Sequence, residues 1–521
     1  MANFYISAGV RVRELDLSNI VPATATSIAA LVGAPVRGDV DNPVLVTTLD
    51  EFFKEFGYPV PGNYFHYAAI GYLRYGRQLW CQRVHNGALY GGLEIKTSES
   101  VQANAAYSAG ESAPATHTFG TDGLLAIYAK DPGVWDNSIS VKIENVDAVA
   151  FTFDITVGFP DKDGNVLVVE KFVGCSRKYA VDGFGIQRYV VDKTRDSKYI
   201  RVLDNTLVAD STSPKAQASY LAMDSGTNGA AISDSHVTTG WEKFADPESI
   251  NVNILINGGL TTAAVQNKMI ALAEARKDCF AILDMPYTAN ANVDQLTYRN
   301  TTLAANTSYA AIYSPWYEEW YDQWNDRRIP VPASGFVAGN YAYTDQIRAP
   351  WFSPAGMRRG QMPPDKLRRK YSEGDRDTLN AAQINTVQFF TGEGNYIWFD
   401  STLQTNQSAL SYVSIRRMLI VIEKSLARAT KIECFEPNDP VTRLRIEQMC
   451  TEYLESIQRQ RGIEDFQVVC SEQNNPPSQR ELGQLSVDIY IKPVYPARTI
   501  QITAILTRLS ANFSELSTTG V

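Results

Sequence analysis

Residues 250–256 read INVNILI and residues 279–284 read CFAILD, and between them residues 262–277 carry apolar side chains at helical spacing. Parallel strands need a long crossover to bring the chain back, and strands covered by helices on both faces are apolar along their whole length. This pattern predicts a βαβ unit, and with it a central α/β core. Other segments extend it. IAALVGAPV from Ile28, LWCQRV and SYAAIYSPW are buried-strand candidates. TLDEFFKEFG sets Phe52, Phe53 and Phe56 at helical spacing, with Thr48 as a cap and Gly57 as a stop. Further helices are predicted over Tyr64–Tyr75 and Gly335–Arg348, the latter ending before Pro350.

The full length of 521 residues is too great for one ordinary core and predicts several domains. Residues 1–25, with Val10 and Val12 alternating against Arg11 and Arg13, read as an extended arm. Residues 26–95 begin the α/β core and residues 246–375 complete it, with 349–370 a long Pro-, Gly- and Arg-rich structured loop. Between them, 96–245 is rich in Ser, Thr, Gly, Asp and Val and reads as a β-rich insertion. Residues 376–497 form an α+β carboxy-terminal domain. There DTLNAAQINTVQFF and YIWFDSTL alternate, helices are expected at Tyr412–Thr430 and Thr442–Arg461, and FQVVC and LSVDIYIKPV read as strands. Residues 498–521 are a second arm. Ile500, Ile502 and Ala504 alternate with Gln501 and Thr503, and Pro493 and Pro496 separate them from the strand before. The class overall is α/β, or α+β when every domain is counted.

Composition narrows the partners. A net charge of −9 argues against nucleic acid or an anionic membrane engaged by the whole surface. Six cysteines without a C-x-x-C pair suggest reduced thiols rather than a zinc or disulfide framework. The opening residues lack the pattern of a signal peptide, and no apolar run reaches membrane-spanning length. Neither a cofactor nor a metal is expected.

Four cations, Arg417, Lys424, Arg428 and Lys431, follow spacings that place them on one stripe of a helix, opposite Ile415, Leu419, Ile422 and Leu426. Such a stripe is ordinarily a solvated face. Trp316, Trp320 and Trp324 would align on a helix, as core or as a sugar platform, and core packing is the expected outcome. DKDGN at Asp161–Asn165 lacks the terminal glutamate of a calcium loop and reads as a hairpin turn. Gly258-Gly259 lacks the Lys-Ser/Thr of a P-loop and reads as a βα turn. A hydrolase is the rival class and a glycan-binding module a third, but the chain has only four histidines (His66, His85, His117 and His236) and no G-x-S-x-G or H-E-x-x-H motif, which weighs against the hydrolase.

Three blocks resemble contractile tail sheath proteins of phages. GVRVRE followed by SIAALVGAPVRGDVDNPVLVTTLDEFFKEFG is similar to that family's opening segment, with Ala8 where proline is common. SGFVAGNYAYTDQIRAPWFSPAG resembles its middle. SIRRMLIVIEKSLARATKIECFEPNDP with LGQLSVDIYIKPVYPARTIQI resembles its carboxy-terminal domain, and residues 96–245 match nothing in it. The resemblance implies a structural subunit, not an enzyme, that stacks as hexameric rings around an inner tube and contracts. Its expected partners are copies of itself, the inner tube protein, and baseplate and tail terminator proteins. Its place would be a phage tail assembled in the host cytoplasm, or the sheath of a bacteriocin or another injection machine. The family's arms add strands to neighbouring subunits, which assigns that role to Val10, Val12, Ile500, Ile502 and Ala504. A helix of its last domain holds the tube, which assigns that role to Arg417, Lys424, Arg428 and Lys431.

Overall fold

A computed structural model describes residues 25–97, 117–120, 122–178 and 181–502. Its centre is a nine-stranded sheet whose order is Gln361–Met362, Gly394–Ile397, Ile384–Phe390, Ala310–Ser314, Phe280–Asp284, Ile254–Ile256, Ile28–Gly33, Gln78–Arg83 and Val44–Val46. The six strands from Ile384–Phe390 to Gln78–Arg83 run parallel, with antiparallel strands at both edges. The apolar runs that predicted a parallel core are these inner strands. Ile28–Gly33, Ile254–Ile256, Phe280–Asp284 and Ala310–Ser314 are buried at every position.

Helices cover both faces. Leu49–Phe56 is capped by the Thr48 side chain, which accepts from the Glu51 N–H, and stops at Gly57, as its sequence requires. It turns Phe52, Phe53 and Phe56 inward, each worth roughly 1.5–3 kcal/mol on burial. Tyr64–Leu73 crosses Ser334–Ile347 at close range. A Cβ on Gly335 would run into the Ala68 backbone, and one on Gly339 would meet the Gly71 carbonyl oxygen at 2.6 Å. The glycines of SGFVAG are therefore a packing device, not a binding loop. On the other face Ala263–Arg276 and Asp234–Glu242 pack through Val265, Met269, Val237 and Trp241.

The insertion is a β-rich body with its own core, formed by a four-stranded and a three-stranded sheet around Leu125, Ile143, Ile155 and Val202. Contacts draw its borders differently from composition. Its first strand, Gly92–Lys96, already pairs with Gly123–Ala129, while Asp234–Glu242 belongs to the central core. The two crossings run side by side, bridged at Asn86 and Gly229 and at Leu89 and Thr227. DKDGN forms the turn between Thr152–Pro160 and Val166–Cys175, with Asp161 accepting from the N–H groups of Asp163 and Asn165.

Two local expectations are corrected. The start of DTLNAAQINTVQFF closes a helix, Glu373–Ala381, and only Ile384–Phe390 of it is a strand. Ser372 and Asp375 make a reciprocal cap there, and Leu379 is the one buried point. The tryptophans lie on no helix. Tyr317–Asp322 and Arg327–Val331 are paired strands, turned where Asp322 accepts from the Trp324 and Asn325 N–H groups. The expected packing holds nonetheless: Trp316 is buried, Trp320 and Trp324 are half-buried against Phe336 and Phe53, and the rings are no open platform.

In the last domain, Val413–Thr430 and Pro440–Arg459 pack beneath a two-stranded antiparallel sheet, Ile463–Val469 with Asp488–Pro493. The second helix starts at Pro440, with Asp439 accepting from the Thr442 N–H at 2.8 Å. The Asp of FEPND is thus a helix cap.

Candidate functional site

The sequence placed function on the basic helix and the terminal arms. Along Val413–Thr430 the stripe meets three carboxylates from separate parts of the core. Arg417 Nη2 donates to Asp345 Oδ2 at 2.7 Å, and both side chains are about 5% exposed or less. Its guanidinium also lies 4.6 Å over the Tyr341 ring. Seven residues on, Lys424 donates to Asp278 Oδ2 at 3.1 Å and to the Val252 carbonyl at 3.2 Å. Burial pulls the Lys424 ammonium below its ordinary range, and Asp278 opposes that. Seven further, Lys431 pairs with Glu248 at 3.3 Å in the open. Arg416 stacks 3.6 Å over Tyr309.

The solvated stripe is therefore corrected for two of its four members. Arg417 and Lys424 fasten the carboxy-terminal domain to the core, and only Arg428 and Lys431 are exposed. At heptad spacing Arg417, Lys424 and Lys431 each meet one of three carboxylates that lie far apart in sequence. Leu419, expected on the apolar face, is only half-buried, while Met418 joins Ile415, Ile422 and Leu426 in the core.

Of the arm residues, Val10, Val12 and Ala504 lie outside the described residues. Ile500 and Ile502 stand 79% and 87% exposed in no strand. Among the described residues the two-stranded sheet has no third strand. Beside it a groove of about 920 Å³ opens between the helices, lined by Leu426, Ile446, Cys450, Leu485, Val487 and Ile489. At its rim Phe435 is fully exposed in a left-handed backbone conformation, φ 74°. Sequence reasoning missed the groove, because no local pattern reports a sheet that is short of strands.

After the central strand Ile254–Ile256, Gly259 is packed against Tyr64, Trp316 and Pro332. Asp284 is wholly buried and accepts from the N–H groups of Gly259 (3.1 Å) and Ser334 (2.8 Å), which occupies the start of Ser334–Ile347 with a carboxylate of the chain itself. Burial pushes its carboxyl up to about 6, against these hydrogen bonds. Among the described residues no cluster of three His, Cys, Asp or Glu side chains could hold a metal, and no helix is long and apolar enough to cross a membrane.

Residues 230–403 match the phage tail sheath protein central domain, and residues 405–507 match the phage tail sheath C-terminal domain. The chain is 32% identical over 305 residues to the tail sheath protein of Vibrio phage KVP40, covering 53% of this chain and 45% of that protein. It is 28% identical over 316 residues to that of Enterobacteria phage T4, covering 56% and 48%. The chain spans about half the length of the curated relatives it matches. Its fold is similar to the crystal structure of a sheath tail protein from Listeria innocua, at 14% identity and TM-score 0.61, covering 92% of this chain and 94% of that one. It is also similar to the contracted sheath of an extracellular contractile injection system, at 15% identity and TM-score 0.55, covering 97% and 99%. These matched proteins are named for a sheath, not for a reaction. Through its central and carboxy-terminal domains, the chain belongs to the phage tail sheath family.

Proposed function

We propose that this protein is the repeating subunit of a contractile sheath, which polymerises with copies of itself as stacked hexameric rings around an inner tube. Shortening of that sheath drives the tube through a bacterial envelope, for phage genome delivery. The observation that carries the reading is the incomplete carboxy-terminal sheet, with its open apolar groove, next to a tail whose Ile500 and Ile502 face solvent. A sheet edge with unpaired donors and acceptors takes an added strand, and alternating apolar residues set its register. Strands donated by Val10 and Val12 of one copy, and by Ile500, Ile502 and Ala504 of another, would complete the sheet and cover the groove.

Contraction in this reading is a change between two sets of subunit contacts, with the arms as tethers and the clamped core and last domain turning together. Attachment to the tube, if carried by the basic helix, falls to Arg428 and Lys431, whose exposed pairs of about 0–1 kcal/mol each suit a grip that must release. Baseplate and terminator proteins would cap the two ends, and the assembly would form in the host cytoplasm. The fold likeness to an extracellular contractile injection system's sheath supports a second reading, the sheath of a bacteriocin or another contractile injection system. Electron microscopy of the purified protein tests the proposal: hollow striated tubes are expected, and dispersed particles under all assembly conditions would refute it. A variant lacking residues 1–20 should stay soluble and form no tubes.

A further inference from the structure

After Pro493 the chain could return along the free edge of its own last strand, which would fill the site reserved above for a second copy. Hairpin returns of this kind need only about 2–5 loop residues. The described chain does otherwise. Val494 continues the existing ladder by donating to the Gly462 carbonyl at 3.2 Å, and the Tyr495 ring packs edge-on against Tyr412 at 5.6 Å. Arg498 then reaches Asp400, on the loop that follows the core strand Gly394–Ile397. Its Nε and Nη2 both donate to Asp400 Oδ1, at 3.0 and 2.8 Å, and Nη2 also donates to the Asp400 carbonyl at 3.1 Å and to Ser401 Oγ at 3.3 Å. The guanidinium lies 4.4 Å from the centre of Phe399 and 3.9 Å from that of Tyr412.

Few features of this site are ordinary for a surface tail. The Asp400 side chain is 4% exposed, so its charge is buried with Arg498 as its ion-pair partner. A fork-shaped guanidinium held by two rings and a buried carboxylate is fixed in direction as well as position. Directly beyond it, the tail turns Ile500 and Ile502 into solvent. Residues 494–498 are thus used in reaching the core, at about 3.3 Å each, rather than in turning back.

We infer that the Arg498–Asp400 contact is a clasp that keeps each subunit's tail off its own sheet edge, so that the edge of Asp488–Pro493 stays open for a strand from a second copy. The inference rests on the arm reading above, and adds a device that makes exchange between copies win over self-pairing. An intramolecular strand would otherwise hold the advantage of high effective concentration. The clasp also marks the division of the tail: residues to Arg498 belong to their own subunit, and those from Thr499 onward are available to a neighbour.

Hydrogen exchange on the full-length, unassembled protein tests it, comparing the parent chain with Arg498→Ala and with the nearly isosteric Asp400→Asn. In the parent chain the amides within 488–492 that point to the free edge should exchange at the rate of exposed loops. In both variants they should slow by about tenfold or more as the tail folds back, and tube formation should slow with them. Unchanged exchange at 488–492 in a folded variant overturns the clasp. The arm reading is tested separately by a variant lacking residues 499–521: normal tubes from it would refute donation by this arm, whereas the exchange comparison on single subunits decides the clasp either way.

Discussion

Replacing Arg417 by Ala separates the two roles open to the basic helix. The side chain is buried, and so is Asp345, whose Oδ2 it reaches at 2.7 Å. Removing one partner of a buried pair leaves the other charge uncompensated, at about 3–5 kcal/mol. Loss of the stack on Tyr341 adds about 1 kcal/mol, so a total of about 4–6 kcal/mol is expected. Along the same helix the cost should fall with exposure. Lys424→Ala should be intermediate, and Lys431→Ala, in an open pair with Glu248, should cost about 0–1 kcal/mol. The measurement is the urea midpoint of the transition that unfolds the last domain, with hydrogen exchange in 334–347 and 413–430 to show that this junction is what opened.

The pH dependence follows from Asp345. Burial raises its carboxyl above the usual range, and Arg417 opposes the rise. A raised folded-state value favours the folded protein below the unfolded value near 3.8, and that contribution is lost as pH rises through the folded value. Without Arg417 the carboxyl rises further, so the deficit of Arg417→Ala should shrink on acidification from pH 8 to pH 5. Arg417→Met combined with Asp345→Leu should recover most of the loss, because an apolar pair needs no counter-charge. A cost below about 1 kcal/mol for Arg417→Ala, accompanied by weaker tube attachment, would refute the clamp and restore the outward-facing stripe.

Four further outcomes are expected. His66 is wholly buried and its ring is pushed down to about 4, first by burial, so stability present above its unfolded value of 6.5 should be lost as pH falls through 4. The loss is up to about 3 kcal/mol, and His66→Gln should flatten the denaturation profile over that window. Gly335→Ala should destabilise by about 2 kcal/mol or more despite alanine's better helix propensity, since the methyl forces two helices apart; thermal unfolding reads it. Asp439→Ala should cost about 1 kcal/mol through loss of the cap on Pro440–Arg459, with asparagine restoring most of it. Reversing Arg428 and Lys431 to Glu should lower the unfolding free energy by about 1 kcal/mol, since Glu248 then faces a like charge, and reduce cosedimentation with purified tube, whereas unchanged cosedimentation would remove the helix from tube attachment.

Local chemistry made some of this fold legible from sequence alone. The Thr48 and Gly57 bounds of the first helix, the apolar runs of the parallel sheet and the Asp161 turn each depend on neighbours a few residues apart. In two segments periodicity alone misleads, although the deciding residues lie close by. DTLNAA alternates weakly, and only the Ser372–Asp375 cap upstream decides for a helix. WYEEWYDQW has helical spacing, but Asp322 turns it into a hairpin against Arg327–Val331.

The basic helix is the sharpest case, because its periodicity is visible in the sequence and its surroundings are not. Spacing fixes which side chains share a face, but not whether that face meets water. Only the positions of Asp345, Asp278 and Glu248, three elements brought together by the fold, decide that Arg417 and Lys424 look inward. The exposed Ile500 and Ile502 show the converse. Apolar alternation at the chain's end calls for a strand, yet among the described residues those two positions pair with nothing, while Arg498 holds the chain just before them. In the arm reading proposed above, that unmet preference is a strand offered to a second copy, and the Arg498–Asp400 contact would hold it unmet until that copy arrives.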